Sequence, residues 1–551
     1  MQKRICTISG KAFTVSDLEE QFCLAHQLPL PDISPTERLR QIGGFLSSIF
    51  LYTSRCAYTG KSILTFVPPH KNLPVYDIDI WMSDVWEALD FGQAYDFSRP
   101  FFDQFGDLLK KVPWPSLECV RSTMENSDYT NGVMNVKDCY LSFGIIDSRD
   151  VLFSRTVIGS KDIMDSVYVT NSELCFGCIQ VNNCYNVSYS QDCSNCSDSA
   201  FLFDCRNCKH CFGSNNLSNK EYYFRNTPCT PAEYQEKISK INLGSYKVVM
   251  EEKQKFAALK KKALVKYMQG KSNEDSDGNY LEHTKNCHNC SFVSDAENSE
   301  WCVQMVHNTR NAFVCDGFGH NGENLYYSAA VGDNAYNLKF CYDCYSNVRD
   351  LEYCIFVGFG SMDCFGCIGL KRKQYCILNK QYTKDEYFAL LAKIKEHMRS
   401  TGEYGQFFPP ALSPMDYNRS EAQVFFPESH VAAEKLGYTW KEDQVEPFTQ
   451  TYSIPDDIQD VQDDILEAVL KCEVTGKKYK IIKQELAAYR KMGVPIPTVS
   501  PIARLEKIQS SLTVKEAKPQ PCSVCHQTIL TVYDTEQYRV VCESCYQQAT
   551  Q

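Results

Sequence analysis

The sequence has no run of about 18 consecutive apolar residues, so it offers no candidate for a membrane-spanning helix. Its N-terminus, Met1-Gln-Lys-Arg-Ile-Cys6-Thr-Ile-Ser-Gly10, has no apolar segment after its basic residues, and no export signal is read there. Without one, the expected compartment is the cytoplasm. No His-Glu-x-x-His occurs. Gly60-Lys61-Ser62 lacks the upstream glycine of a phosphate loop, because Arg55 stands there. Gly317-Phe318-Gly319-His-Asn-Gly322 matches a dinucleotide fingerprint in form, but no helical pattern follows it, and it is read as a turn with His320 in the loop. Histidines are few, 10 in 551 residues, and none pairs with Cys or a carboxylate at metal spacing. Positive charge is also short. The net charge of -11 repels phosphate backbones, which disfavours broad nucleic-acid binding. The one clear basic run, Lys260-Lys261-Lys262, reads as the solvated face of a helix.

Cysteine, by contrast, is abundant. There are 29, with 33 Tyr and 31 Phe, in a chain long enough for about three to four domains. A reducing compartment makes disulfides the least expected use of so many thiols and leaves metal binding or burial.

The two ends align without a gap when slid by 466 residues. Cys6-Thr-Ile-Ser-Gly10-Lys11 falls on Cys472-Glu-Val-Thr-Gly476-Lys477. Pro29, Pro31, Ser34, Pro35, Arg38 and Leu39 fall on Pro495, Pro497, Ser500, Pro501, Arg504 and Leu505. Cys56 then falls on Cys522, and Ile63-Leu64-Thr65 on Ile529-Leu530-Thr531. Ser34-Pro35 and Ser500-Pro501 read as helix starts, with a serine cap, proline at the first helical position and Glu37 closing a capping box in the first copy. Only the last copy carries a complete ligand set: Cys522-x-x-Cys525 and Cys542-x-x-Cys545, separated by the strand-like Thr528–Tyr533. Two such pairs suit tetrahedral Zn²⁺ in a zinc ribbon. The aligned N-terminal positions are Cys56, Thr59, Tyr76 and Asp79, so that copy is expected to fold without metal.

Between the ends lie two Cys-rich arrays. In the first, a short phrase returns every ten to thirteen residues, as in Lys137-Asp-Cys-Tyr, Lys161-Asp-Ile-Met, Asn182-Asn-Cys-Tyr and Arg206-Asn-Cys-Lys. This suits a right-handed β-solenoid with small side chains stacked inside and Asn and Asp at the corners. Both arrays end alike: Cys211-Phe-Gly and Lys220-x-Tyr222 match Cys364-Phe-Gly and Lys373-x-Tyr375. A helix then opens with a Thr230–Glu233 or Thr383–Glu386 capping box, the first expected to run, with an interruption at Gly244, to about Gln269 and the second to near Arg399. Cys175/Cys178, Cys193/Cys196, Cys205/Cys208, Cys287/Cys290, Cys341/Cys344 and Cys364/Cys367 have the spacing of metal knuckles. In an extended strand, however, residues i and i+3 face opposite ways. Buried thiol ladders and additional metal sites both remain open.

Lys373-Gln-Tyr-Cys-Ile-Leu-Asn-Lys-Gln-Tyr-Thr383, Tyr95-Asp-Phe-Ser-Arg-Pro-Phe-Phe102 and Phe407-Phe-Pro … Leu412-Ser-Pro resemble a Cys-rich family of candidate-phyla bacteria with small genomes. The resemblance covers about residues 1 to 510 and implies no assigned activity. It does imply Cys-Pro-x-Cys where this chain has Ser34, Glu37, Ser500 and Ala503, which leaves the last four cysteines as the intact site.

The expected architecture is multi-domain and mainly β. A degenerate ribbon-like module (1–95) and a connector (96–128) lead into array one (129–226), followed by a helical segment (227–270). Array two (279–379), a helix (380–400) and a Pro- and aromatic-rich connector (401–458) precede the ribbon module with the intact four-cysteine site (459–551). The expected function is a zinc-binding structural or interaction scaffold. Its partner is expected to be a protein rather than nucleic acid, because Lys515, Lys518, His526 and Arg539 on the ribbon are balanced by Asp534, Glu536 and Glu543. A nucleic-acid- or ribosome-associated factor is one alternative. A carbohydrate-active solenoid using corner acids such as Asp147, Asp150, Asp162 and Asp165 is the other.

Overall fold

The computed structural model describes residues 2–317, 319–329, 332–510 and 514–550; Phe318 of the glycine-rich stretch lies outside them. The first array is a parallel β-solenoid with a 12-residue turn. Arg155, Val167, Ile179 and Gln191 stack in register on one side, and Lys161, Glu173 and Tyr185 on the opposite side. The device that makes each turn is a left-handed residue at every third position, such as Asp162, Asp165, Tyr168 and Asn171, all with φ near +50°. Such a residue costs an L-amino acid about 1–2 kcal/mol, least for Asn and Asp, whose side chains bond locally. Hence the recurrent Asn and Asp of the sequence phrases.

This corner changes which residues point inward. The left-handed residue between two extended ones re-aims the chain, so residues i and i+3 both face the interior instead of opposite ways. Cys175 and Cys178 are each 0% exposed. The interior row Ser142, Ser154, Ser166, Cys178 and Ser190 shows what these residues do. The Ser166 amide donates to Ser154 Oγ (3.1 Å), and the Cys178 amide to Ser166 Oγ (3.0 Å). In return Ser166 Oγ donates to the Met164 carbonyl (2.8 Å), and Cys178 Sγ to the Val187 carbonyl (3.3 Å). Small inward hydroxyls and thiols therefore satisfy backbone groups that would otherwise be buried without partners.

The second array has a 13-residue turn through most of its length: Ala312, Leu325, Leu338, Leu351 and Cys364 stack in register. The extra residue sits at one corner, where Asn308, Asn321, Asn334 and Asn347 pass amide hydrogen bonds along a row. Inside runs a thiol column of Cys290, Cys302 and Cys315, then Ser328, then Cys341, Cys354 and Cys367, set by in-register bridges between neighbouring residues. Buried Asn379 ends this column, bonding Ile368 on both its backbone groups and the Ala88 carbonyl. Gly317 and residues 319–322 are part of this array, and the next element among the described residues is the strand Glu323–Tyr326 rather than a helix.

The arrays lie side by side and antiparallel. Along the seam Arg155 faces Asp316, Tyr168 stacks on Phe292 at 4.3 Å and bonds Gln304, and Asp192 accepts from Tyr280 (2.8 Å). Both capping boxes form as expected. The first helical segment is interrupted around Gly244 as expected, into Pro231–Ile238 and Tyr246–Lys262, but it ends before Gln269, where the chain becomes a strand, Leu264–Lys266. The second, Lys384–Ser400, ends where expected. The two connectors are packed elements. Phe105 of the helix Phe101–Leu109 stacks on Phe408 at 4.8 Å, and Tyr327 of array two stacks on Phe407. Among the described residues no helix is long and apolar enough to cross a membrane.

Two outcomes follow from this packing. Cys178→Ser should cost less than about 1 kcal/mol in urea unfolding, since serine fills the same row, whereas Cys178→Val should cost about 1–3 kcal/mol by stranding backbone groups. The seam should also respond to pH. Burial pushes the Asp316 carboxyl up to about 8, with Glu421 adding to the rise and Arg155 and the Gly317 amide opposing it. Burial likewise raises Glu118 to about 7 and Asp343 beside it. The native state therefore holds protons that the unfolded chain releases above about pH 4, and stability contributed by these groups falls as pH rises from there toward 8. Melting should be higher at pH 5 than at pH 8, and Asp316→Asn should flatten the dependence.

Candidate metal centre

The C-terminal site is built on a hairpin, Lys518–Pro521 against Thr528–Thr531. Its turn closes through the Cys522 amide to the Gln527 carbonyl (2.8 Å) and the His526 amide to the Cys522 carbonyl (3.0 Å), with His526 left-handed at φ 61°. The strand Arg539–Val541 then delivers Cys542 to the start of the helix Glu543–Thr550, which carries Cys545 one turn on. All four sulfurs lie within 4.8 Å of one another, with Cys525 and Cys542 3.7 Å apart. Among the described residues this is the group that can hold a metal ion. Cys522 is buried and Cys525 exposed, so the cluster opens to solvent on one side. Burial pushes the Cys522 thiol up, but amides including those of Cys525 and Cys542 outweigh it and bring it down to about 6. Cys545 is pushed up to about 12, chiefly by Cys542. Four thiolates at this spacing repel one another until a cation is placed among them.

The array cysteines stand elsewhere. Cys175, Cys178, Cys193, Cys196, Cys205 and Cys208 are inside array one, and Cys287, Cys290, Cys341, Cys344, Cys364 and Cys367 inside array two, all buried. Their thiols donate to backbone carbonyls two residues back, as Cys193 does to Gln191 (3.3 Å) and Cys364 to Met362 (3.3 Å). The knuckle-like spacing of three is the spacing of inward positions in the solenoid.

The turn at Cys522 has three counterparts. The amide of Cys6, Cys56 or Cys472 bonds the carbonyl of Lys11, Lys61 or Lys477, each at 2.9 Å, with Gly10, Gly60 and Gly476 left-handed where His526 stands. The Cys542 amide meets Cys522 Sγ at 3.3 Å, as the Ser500 amide meets Cys472 Sγ and the Asp77 amide meets Cys56 Sγ. This corrects the N-terminal alignment. The Ala57 amide bonds Val75 where the Ser523 amide bonds Val540, so the offset falls to 465 after the hairpin. Asp77 and Ile80, not Tyr76 and Asp79, occupy the places of Cys542 and Cys545. The serine caps are also corrected. Neither Ser34 nor Ser500 makes a side-chain cap bond, Ser34 Oγ lies against Thr36 Oγ1 (3.2 Å), and Glu37 pairs with Arg40 (3.3 Å) instead of closing a capping box. Burial pushes the Cys472 thiol up, yet the Ser500 and Thr475 groups bring it down to about 7.

What sequence reasoning missed is the seat of the ribbon. Leu264–Lys266 pairs in parallel with Arg539–Val541, Lys266 Nζ meets Glu543 at 2.6 Å, and Tyr546 donates to Asp204 of array one (2.6 Å). Array two adds Asn279, which donates to Tyr533 (3.0 Å), and Asn289, which accepts from the Ala517 amide (3.0 Å). The only sequence hint was the Leu-Val-Lys run breaking the helix. Nor does Lys260 belong to an open basic face: its ammonium bonds Gln191 and lies over Phe203. Of the corner acids, Asp162 pairs with Lys491 and Asp165 with Arg504, while Asp147 accepts from Asn135.

No family model matches the chain, and no curated protein does. A solved structure assigned as an acetyltransferase from Desulfovibrio desulfuricans G20 aligns at 9% identity over 48% of this chain and 71% of that one, with a TM-score of 0.09. A score that low carries no argument about fold or activity.

The shared turn geometry makes a test. Thr475→Cys/Ser500→Cys/Ala503→Cys should rebuild four thiols around Cys472 and raise bound metal by about one ion per chain, read by elemental analysis.

Proposed function

We propose that the chain is a zinc-binding structural or interaction scaffold, in which Cys522, Cys525, Cys542 and Cys545 hold one Zn²⁺. The observation that carries this reading is the approach of the four sulfurs within 4.8 Å at the point where the ribbon is seated on both arrays. A tetrahedral zinc site with zinc–sulfur bonds of about 2.3 Å has sulfur–sulfur edges of about 3.75 Å, and the Cys525–Cys542 separation is 3.7 Å. When bound, the ion neutralises the thiolates and fixes the ribbon. Cys522 and Cys542 receive it from amide-lined positions, and Cys525 and Cys545 close it from the solvent side. The three related turns, each with one cysteine, support an origin by internal repetition, with only the last copy keeping its metal. The array flanks and ribbon surface are read as contact area for protein partners.

Protein purified under reducing conditions should carry about one zinc per chain, and Cys522→Ser/Cys525→Ser should lose it. Zinc retained by that variant, or a different resident metal, would overturn the assignment. Salt-sensitive co-purification with RNA or DNA would replace the protein-scaffold reading with a nucleic-acid-associated one.

A further inference from the structure

Along the ribbon, metal ligands and contacts with the arrays alternate over one short stretch of chain. The Tyr267 amide donates to the Val541 carbonyl (2.9 Å), one residue before Cys542. Lys266 Nζ meets Glu543, one residue after Cys542, at 2.6 Å. Tyr546, next to Cys545, donates to Asp204 of array one (2.6 Å). Thr531 Oγ1 donates to the Tyr267 carbonyl (2.7 Å). Tyr533, between the two cysteine pairs, reaches the point where the arrays themselves meet. It accepts from Asn279 (3.0 Å) and bonds Tyr280, whose hydroxyl donates to Asp192 of array one (2.8 Å). Little apolar surface lies beneath these contacts. The buried cluster of the ribbon is Cys522, Ile529, Val540, Val541, Cys542 and Tyr546, two of them ligands, with Leu264 and Tyr267 packed on it from outside. A unit this small does not hold its fold on its own core and needs a metal or a neighbour.

We propose that the ribbon is a metal-dependent lock on the junction between the arrays: filling the four-cysteine site and closing this end of the seam are one coupled equilibrium, regulated by metal availability. The inference rests on the zinc reading of Cys522, Cys525, Cys542 and Cys545. The coupling follows from position, because the backbone that carries Cys542 and Cys545 also carries Val541, Glu543 and Tyr546, which make the seat. Loss of the ion frees that backbone. It leaves Leu264–Lys266 without its strand partner, since Arg539–Val541 is the one strand paired with it among the described residues. Linkage makes the effect reciprocal. If bound metal secures the seat, the seat strengthens metal binding by the same factor, although Tyr533 and Tyr546 are not ligands. The effect is also local. Farther along, the seam is held by Tyr168 on Phe292, by Arg155 facing Asp316 and by Glu118 bonded to Asp343, which join the arrays without the ribbon.

The test uses the full chain under reducing conditions, with zinc counted by elemental analysis and amide hydrogen exchange as the structural readout. Removing zinc with a strong chelator should speed exchange of the Tyr267 amide at least about tenfold, leave the segment around Asp343 unchanged, and be reversed by added zinc. Tyr533→Phe/Tyr546→Phe deletes two hydroxyls at the seat and keeps both rings and all four cysteines. It should weaken zinc binding at least about tenfold in competition with a chelator, while keeping the wild-type circular dichroism spectrum. Tyr185→Phe, at an exposed tyrosine of array one, should leave zinc affinity unchanged. A purified chain that binds no zinc would overturn the four-cysteine reading and the lock with it. Zinc bound at full affinity by the folded double variant, or a Tyr267 amide equally protected with and without zinc, would overturn the lock alone.

Discussion

A left-handed residue at every third position is the constraint from which most of this structure follows. It bends the chain at each corner and, by re-aiming it, sends one side chain in three to the interior. Stacking of turns then brings each inward position above its equivalent 12 or 13 residues away. Two opposite sides of array one pair as parallel sheet, and elsewhere the amides and carbonyls need other partners. Inward serines and cysteines provide them, because a small hydroxyl or thiol can accept an amide from the next turn and donate to a carbonyl nearby. The abundance of cysteine in the middle of the chain thus has a backbone cause.

That cause separates two populations of thiols with the same spacing. In the arrays, three residues is the distance between successive inward positions, and the sulfurs are held by carbonyls. In the ribbon, three residues spans a tight turn or the first turn of a helix, and two such pairs converge on one point. The difference lies in the backbone around the cysteines: a left-handed solenoid corner between them in one case, a closed turn completed by a left-handed His526 just after Cys525 in the other. The three turns at Cys6, Cys56 and Cys472 show that this second geometry persists with one sulfur, amides on the thiol taking over part of the role of an ion.

Packing of the arrays against each other has its own cost. The seam buries Asp316 and Asp343 beside Glu421 and Glu118, with Arg155 as the cation among them, paired to Glu421 at 2.5 Å. Burial raises the carboxyl pKa values there, and the junction relies on stacked rings such as Tyr168 and Phe292 as well as on the Arg155–Glu421 ion pair. The ribbon closes one end of this seam by touching both arrays, so the metal centre and the large-scale architecture share residues.

The sequence by itself determined the solenoid class, both capping boxes and the four ribbon cysteines, because each rests on local spacing: a returning corner phrase, Thr-x-x-Glu, and two Cys-x-x-Cys pairs. It also paired Cys6 with Cys472 and Cys56 with Cys522, though a one-residue difference in a loop hid the roles of Asp77 and Ile80, and only the structure shows that all four cysteines sit in the same turn. The tertiary structure decided what local spacing does not encode. Whether residues i and i+3 share a face depends on backbone angles between them, so the role of the array thiols was undecided until the corners were seen. The seat of the ribbon on Leu264–Lys266 and the acid-rich seam join residues brought together by packing of distant elements, and no periodicity along the chain specifies those meetings.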